Sequence, residues 1–449
     1  MASWKLIVED YGKVKTAEIE IAPLTLFLGD NNSGKSYLLS LLWGIEKFGI
    51  AALIGEDYVN TKETAALIKW ICTQIDIAIE KHHYEVSLEE ISDTLERLLN
   101  AEIKKNKSSL VKRIFNSKDI DIGNLTIKLG DLSDSVLYLD YKEDSGLHFR
   151  VGHGTRFGLG LNVVTDRYYE EDELIQWFLI QELYSGLMEI SDIEDDTDSR
   201  IYLPAARTGF MLTKDIINRT GRKNTFNLSE EKEVITPFLR PINQFLDILS
   251  DISAEIVADE DKLKLVREIE GEMTDGSIEV SAMPNKEVRY APAGFQDAIP
   301  LRLSSAVVTE LSPLILILKH KKNVKRFYYE EPEMCLHPQL QYNMGKIICR
   351  MVNSRIGMVI TTHSDIIVQY INNMIKLAKR EDCKDICEKL GYTKRDLLTG
   401  RQIKVYQLSA NSGAKTEVKE LLCGEDGFCV PTFNDALDSI MNESYEIQG

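Results

Sequence analysis

A chain of 449 residues, 44% of them hydrophobic, has the length for two or three folded units and the composition of a globular protein. Its 53 Lys and Arg against 71 Asp and Glu give a net charge of −18, which excludes a surface that binds nucleic acid over its whole extent but not a local basic groove. Met-Ala-Ser-Trp-Lys lacks the apolar core of a signal peptide, the apolar run Leu314–Leu318 is too short to cross a membrane, and the 7 scattered cysteines fit reduced thiols in a cytoplasmic protein. Cys383 and Cys387 lie four apart without a second ligand pair, so a zinc site is not expected.

Residues 4–10 and 17–28 read as two strands joined by a turn at Tyr11, Gly12 and Lys13. Tyr11 either packs on the sheet or touches a nucleotide base. The second strand runs into Gly29-Asp30-Asn31-Asn32-Ser33-Gly34-Lys35-Ser36, which satisfies the phosphate-binding pattern G-x-x-x-x-G-K-[ST] at every fixed position. At average residue usage a chain of this length matches that pattern by chance roughly 2% of the time. Apolar Leu24, Leu26, Phe27 and Leu28 precede it, and the helical run Tyr37–Trp43 follows. Gly29 and Gly34 let successive backbone N–H groups turn toward one anion, and the helix N-terminus adds its partial positive charge. The pattern assigns Lys35 to the β- and γ-phosphates of ATP and the Ser36 hydroxyl to Mg²⁺. Asp30, Asn31, Asn32, Ser33 and Tyr37 complete the predicted nucleotide contacts.

From about 60 to 118 the period is helical. Glu63–Glu80 repeats apolar residues at three and four spacing, and Val86–Ala101 does the same, with Ser87 and Glu90 as a capping box. Residues 104–113 are basic and read either as a solvated helix face or as a patch for nucleic acid or a partner. The period then changes to two. Leu125–Leu129, Val136–Tyr141 and Leu147–Val151 read as antiparallel strands, with a turn near Asp144–Gly146. Residues 170–190 read as helix and the acidic run 192–198 as a solvated loop. A strand Ile201–Leu203 ends in Pro204-Ala205-Ala206-Arg207. Residues 211–267 are helix-rich and charged and read as a lid, followed by β structure at Ile278–Val280 and Val288–Ala291.

The second half carries more polar motifs. Ser304 and Ser305 stand before an apolar helix containing Val307, Val308, Leu311, Leu314, Ile315 and Leu318, where a hydroxyl is a good cap. The strand Phe327–Tyr329 ends in Glu330-Glu331-Pro332-Glu333, followed by Leu336-His337-Pro338. The strand Met358–Thr361 ends in Thr362-His363-Ser364-Asp365. Strand, loop and helix alternate, as in a sheet covered on both faces, where ligands bind beyond the carboxyl ends of the strands. Adjacent glutamates on a surface loop would be unremarkable, but Glu330 and Glu331 directly follow an apolar strand, where carboxylates need a cation. His337 reads as structural.

In this order the phosphate loop, the strand-Pro-Arg, the Ser-Ser-Ala helix, Glu-Glu-Pro-Glu and Thr-His-Ser resemble the ABC-type ATPase heads. Within these the chain is similar to the RecF/SMC/OLD-like branch often called "AAA family ATPase", frequent in bacterial anti-phage modules such as PARIS or Septu. The resemblance covers most of the chain except about 50–120 and 211–265. It implies an α/β ABC-ATPase head with a mixed sheet and P-loop, an antiparallel β subdomain, a helical insertion and a helical lid. The implied division is an ATPase lobe with the P-loop (1–50), a helical insertion (51–120), a β-rich part ending in the Pro-Arg strand (121–210), a helical lid (211–267) and a second ATPase lobe (268–449). By the same resemblance Glu330, with Ser36, helps hold Mg²⁺, and Glu331 is the general base or positions the attacking water. His363 is the switch residue at the γ-phosphate, and Ser304 reaches the ATP of a second subunit in trans. Such heads imply a homodimer closed around its ATP sites, extendable to a higher homo-oligomer.

Three departures are visible. Glu330 stands where the family often has Asp, Ser304-Ser305-Ala306-Val307 stands where transporters have Ser-Gly-Gly-Gln, and Ala205-Ala206 replaces a Gln, leaving Arg207 either to substitute for it or to serve an ion pair. Together they argue against a transporter subunit and for slow turnover. After His363 no Asp-x-Asp appears, so no fused nuclease is expected. The function expected is an ATP-hydrolysing switch, without a membrane role, that controls a separate effector such as a nuclease or toxin. The alternative is a DNA-repair or DNA-structure ATPase acting on DNA directly.

Overall fold

The computed structural model describes residues 4–55, 61–117, 119–152, 157–190, 199–214, 238–281, 287–409, 415–424, 427–428, 430 and 441–447. The acidic run 192–198 and residues 215–237 of the predicted lid lie outside the described residues. The first half holds β1 (Trp4–Tyr11), β2 (Val14–Glu20), β3 (Leu24–Gly29), β4 (His83–Ser87), β5 (Ile122–Leu129), β6 (Val136–Lys142), β7 (Gly146–Val151) and β8 (Phe157–Leu159). The second holds β9 (Arg200–Leu203), β10 (Gly276–Val280), β11 (Val288–Pro292), β12 (Ile299–Pro300), β13 (Arg326–Glu330), β14 (Gly357–Thr362), β15 (Ile403–Ser409) and β16 (Thr416–Leu421). The chain forms two units, one of Met1–Glu20, Gly44–Arg113 and Ser117–Asp198, the other of Ile21–Trp43, Ile114–Asn116 and Ser199–Gly449.

In the first unit β5, β1 and β2 lie side by side and antiparallel, and β4, β6, β7 and β8 form a separate antiparallel sheet. The helix Lys62–Lys81 is capped by the Thr61 hydroxyl and buries Ile68, Ile71 and Ile75 of the predicted apolar spacing, together with Leu67. Residues 86–101 are not one helix. Val86 and Ser87 belong to β4, paired with Leu137 and Val136, and the helix begins at Ser92. The Ser87 hydroxyl accepts the Glu89 N–H and opens a short 3-10 turn, in place of the predicted capping box. Cross-strand pairing has overridden a local helical period. On β5, Asn100 of the helix Ser92–Phe115 clamps Ile127, accepting its N–H at 2.7 Å and donating to its carbonyl at 2.8 Å. A side chain thus satisfies backbone groups that an edge strand would expose. The basic stretch is partly occupied internally. Lys105 pairs with Glu102, Lys107 donates to Ile122 and Gly123 carbonyls, and Arg113 lies over Phe48.

The second unit orders its strands β16-β15-β3-β14-β13-β9. β15, β3, β14, β13 and β9 are parallel and β16 is antiparallel to β15. The predicted strand 17–28 is two strands, β2 and β3, separated at Ile21–Pro23, where Pro23 has no N–H to continue a ladder. Every residue of β3 is buried, the pattern of a parallel strand covered on both faces. The helices Arg240–Asp251, Glu260–Ile269, Ala306–His320, Pro338–Asn353 and Asp365–Ala378 close one core with Leu24, Leu26 and Leu28 of β3. Inside it Lys319 Nζ meets Glu270 Oε1 at 2.7 Å and donates to the Ile278 carbonyl at 2.6 Å, so the buried charge is paired and bonded. The α/β fold observed, a mixed sheet carrying a phosphate loop with antiparallel β parts, is the class expected from the sequence.

Among the described residues one helix, Lys35–Ile54, is long and apolar enough by length and composition to cross a membrane, a longer apolar stretch than the Leu314–Leu318 run read from the sequence. Buried inside the protein is 72% of its apolar window, as in core helices that pass the same test, and Gly49 kinks it at φ 72°.

Candidate nucleotide site

Parallel pairing aligns the carboxyl ends of five strands, β15, β3, β14, β13 and β9, in the second unit. Leu28 lies opposite Thr362, Gly29 opposite Leu408, Glu330 opposite Thr361, and Leu203 opposite Tyr329. The phosphate loop, the Glu330-Glu331 turn, the His363 turn and the segment starting at Pro204 therefore leave the sheet together.

The loop itself is shaped by three residues with positive φ, Gly29 at 141°, Asn32 at 60° and Gly34 at 100°. A Cβ on Gly29 would stand 2.3 Å from the Leu408 carbonyl oxygen, so only glycine fits there. The helix starts at Lys35, so the loop leads directly into the positive end of its dipole. Lys35 is 6% exposed, and its ammonium donates to the Gly29 and Asp30 carbonyls at 2.9 and 2.7 Å. Burial lowers its pKa, opposed by the carboxylates of Glu331, Asp30 and Glu333. Ser33 is 1% exposed and its hydroxyl has no hydrogen-bond partner among the described residues. Asp30, Asn31, Asn32, Ser36 and Tyr37 are exposed, with Tyr37 stacked on Phe115 at 5.3 Å. A buried unpartnered hydroxyl, a glycine-built cradle and a cation folded onto its own loop fit a phosphate chain.

At the end of β13, Glu330 accepts the Ala205 N–H at 2.8 Å. Glu331 has φ 42°, its N–H donates to the Thr361 carbonyl at 2.9 Å, and its Oε1 is 3.8 Å from His363 Nε2. Burial, then the Lys35 charge, lowers the His363 pKa. Lys35, Glu331 and His363 thus belong to one electrostatic cluster. Among the described residues no group of three or more His, Cys, Asp or Glu could hold a metal by itself. Mg²⁺ takes one or two protein oxygens and completes its shell with phosphate and water. Ser36 and Glu330 are the residues that would hold it.

Glu333, the last carboxylate of Glu330-Glu331-Pro332-Glu333, has no role in the motif's reading but joins this cluster in the structure. Its carboxylate accepts the Thr362 hydroxyl at 2.9 Å and the His363 N–H at 2.6 Å, and burial raises its pKa. It fastens the turn that carries His363 to the turn that carries Glu331. The available signal was a third carboxylate just after Pro332, opposite a Thr-His pair. Glu333→Gln can accept only one of these bonds well. It is expected to slow ATP hydrolysis about tenfold, as displaced catalytic groups do, with a lowered melting temperature in the same preparation; hydrolysis at the wild-type rate would leave Glu333 outside the site.

Arg207 does not face the loop. It is 0% exposed and paired with Glu310 at 2.7 Å, so the structure displays the ion-pair alternative. Ser305, not Ser304, caps the helix Ala306–His320 by accepting the Val308 N–H. The Ser304 hydroxyl donates to the Leu301 carbonyl at 2.6 Å, on its own turn, and meets Thr309 Oγ1 of the helix Ala306–His320 at 3.3 Å. His337 caps the helix Pro338–Asn353, in keeping with a structural role.

No family model matches this sequence, and no curated protein matches it. Among solved structures, the chain is similar to an SMC head bound to the C-winged helix domain of ScpA, with 12% identity, TM-score 0.36, and coverage of 93% of this chain and 97% of that chain. It is also similar to an Smc head with an extended coiled coil bound to the C-terminal domain of ScpA, derived from Pyrococcus furiosus, with 13% identity, TM-score 0.36 and 100% of both chains covered. A third is the SMC head domain from Thermotoga maritima, with 11% identity, TM-score 0.35, and coverage of 93% of this chain and 98% of that chain. At these TM-scores the likeness carries no residue roles, and the site stands on its own geometry.

Proposed function

We propose that this chain binds ATP with Mg²⁺ and hydrolyses it slowly, and that the two nucleotide states switch its association with a second copy. The observation that carries this is the convergence of Lys35, Glu331 and His363 at the carboxyl ends of parallel strands, beside a loop whose backbone is shaped for phosphate. Bound ATP·Mg²⁺ supplies a γ-phosphoryl group whose transfer to water needs positioning and charge neutralisation more than covalent help. Lys35 and the helix N-terminus neutralise phosphate charge, and Ser36 and Glu330 offer oxygens to the cation. Glu331 takes the proton of the attacking water or orients it. His363, 3.8 Å from Glu331, senses whether the terminal phosphate is present. By the resemblance of its motif, Ser304, just before the helix Ala306–His320, meets the ATP of a second copy. The resemblance of the motifs adds a separate effector, in an anti-phage setting, as the target of the switch.

Sedimentation of the purified chain with Mg²⁺ and a slowly hydrolysed ATP analogue tests this. The 51.0 kDa chain should double in mass with the analogue and not with ADP. A mass indifferent to nucleotide would remove the switch. A mass that changes only with added DNA, with binding that weakens steeply with salt, would replace it by the DNA-acting reading.

A further inference from the structure

We propose that Arg207 is a positioning residue that sets the geometry of Glu331 and ties it to the helix Ala306–His320; this rests on the reading of Glu331 given above. The Arg207 guanidinium is completely buried; its two Nη groups donate to backbone, while Nε has no hydrogen-bond partner among the described residues. Nη1 donates to the carbonyls of Pro204 at 2.7 Å and Glu330 at 2.6 Å, and Nη2 donates to the Glu331 carbonyl at 3.0 Å. Nη2 also meets Glu310 Oε1 at 2.7 Å. The other oxygen of Glu310 accepts the Thr208 N–H at 2.8 Å and hydroxyl at 2.6 Å. The guanidinium plane is backed by the Tyr329 ring, 4.6 Å away.

Glu331 at φ 42° occupies the left-handed region, which a residue with a Cβ holds only when its surroundings impose it. Here both flanking peptide groups are pinned. The Glu331 N–H is held by Thr361, and its carbonyl accepts from Arg207 and from the Met334 N–H at 3.1 Å. Arg207 is the side-chain half of that clamp. A planar fork reaches two successive carbonyls and a carboxylate at once, which a lysine ammonium does not. Separating the buried guanidinium from Glu310 would strand two charges without water, so the pair moves together. Glu310 lies one turn into the helix that Ser305 caps. A shift of that helix therefore pulls on the carbonyl of Glu331. The start of the helix, the end at which the proposed function puts the second copy, is thereby coupled mechanically to the carboxylate to which that function assigns the attacking water.

The test is a double-mutant cycle read by steady-state and single-turnover ATP hydrolysis. Arg207→Lys is expected to lower kcat about tenfold to a hundredfold while KM for ATP stays within about twofold. In the Glu331→Gln background the same change should cost less than about twofold, because the group it positions is already gone. Wild-type turnover by Arg207→Lys overturns the inference. So does a loss that multiplies undiminished with that of Glu331→Gln, since Arg207 then acts elsewhere while the ATPase reading stands. Wild-type turnover by Glu331→Gln alone removes the ATPase reading of Glu331 and the inference with it. Should Arg207→Lys fail to fold, Glu310→Gln takes its place in the cycle, keeping the shape of the carboxylate and an oxygen for Thr208, with the same two outcomes deciding.

Discussion

Glu331→Gln is expected to slow ATP hydrolysis by about 10²- to 10⁴-fold, the range for loss of a general base, while ATP affinity stays near that of the wild type. The glutamine keeps the backbone bonds that fix the turn, from Glu331 N–H to Thr361 and from Arg207 to the Glu331 carbonyl. What is lost is the negative oxygen beside His363. Removing that charge also relieves repulsion against bound phosphate, so the variant should hold ATP and accumulate as the nucleotide-bound dimer. A single-turnover assay with labelled ATP, alongside sedimentation, reads both effects. Turnover at the wild-type rate would show that another group handles the water.

Lys35→Ala is expected to weaken ATP binding by about a hundredfold or more, in line with the 2–5 kcal/mol typical for removing one partner of a desolvated charged contact. The Lys35 ammonium is nearly buried and bonded to the carbonyls of Gly29 and Asp30, so the nucleotide must draw it off its own loop. Those carbonyl contacts also mean that the alanine variant loses part of the loop's internal support. The carboxylates of Glu331, Asp30 and Glu333 act electrostatically on Lys35, so its loss leaves the site more negative and less receptive to phosphate. Equilibrium dialysis with ATP·Mg²⁺, with a thermal melt to confirm folding, measures the effect. Unchanged affinity would place the nucleotide elsewhere.

The two variants separate binding from chemistry. Lys35→Ala should fail before ATP is held, and Glu331→Gln after. A protein in which both lost affinity equally would have a phosphate site without a hydrolytic one.

The sequence by itself determined the site's parts. The loop pattern at 29–36 specifies its own conformation, because glycine is required where φ is 141° at Gly29 and 100° at Gly34. Apolar runs ending in polar motifs placed Glu330, Glu331 and His363 at strand ends, since parallel strands buried on both faces leave chemistry only beyond their termini. The tertiary structure decided what those parts touch. Strand order is set by non-local pairing, so nothing local showed β14 between β3 and β13, or Val86 paired with Leu137 and not helical. Register then put Glu333 against Thr362 and His363, and the Ala205 N–H against Glu330. Arg207 is the sharpest case. Its neighbours in sequence allow a nucleotide contact or an ion pair, and the choice rests on Glu310, 103 positions away, which the packing of the helix Ala306–His320 delivers to it. A buried guanidinium must be neutralised where it lies, and only the folded chain fixes which carboxylate is there to do so.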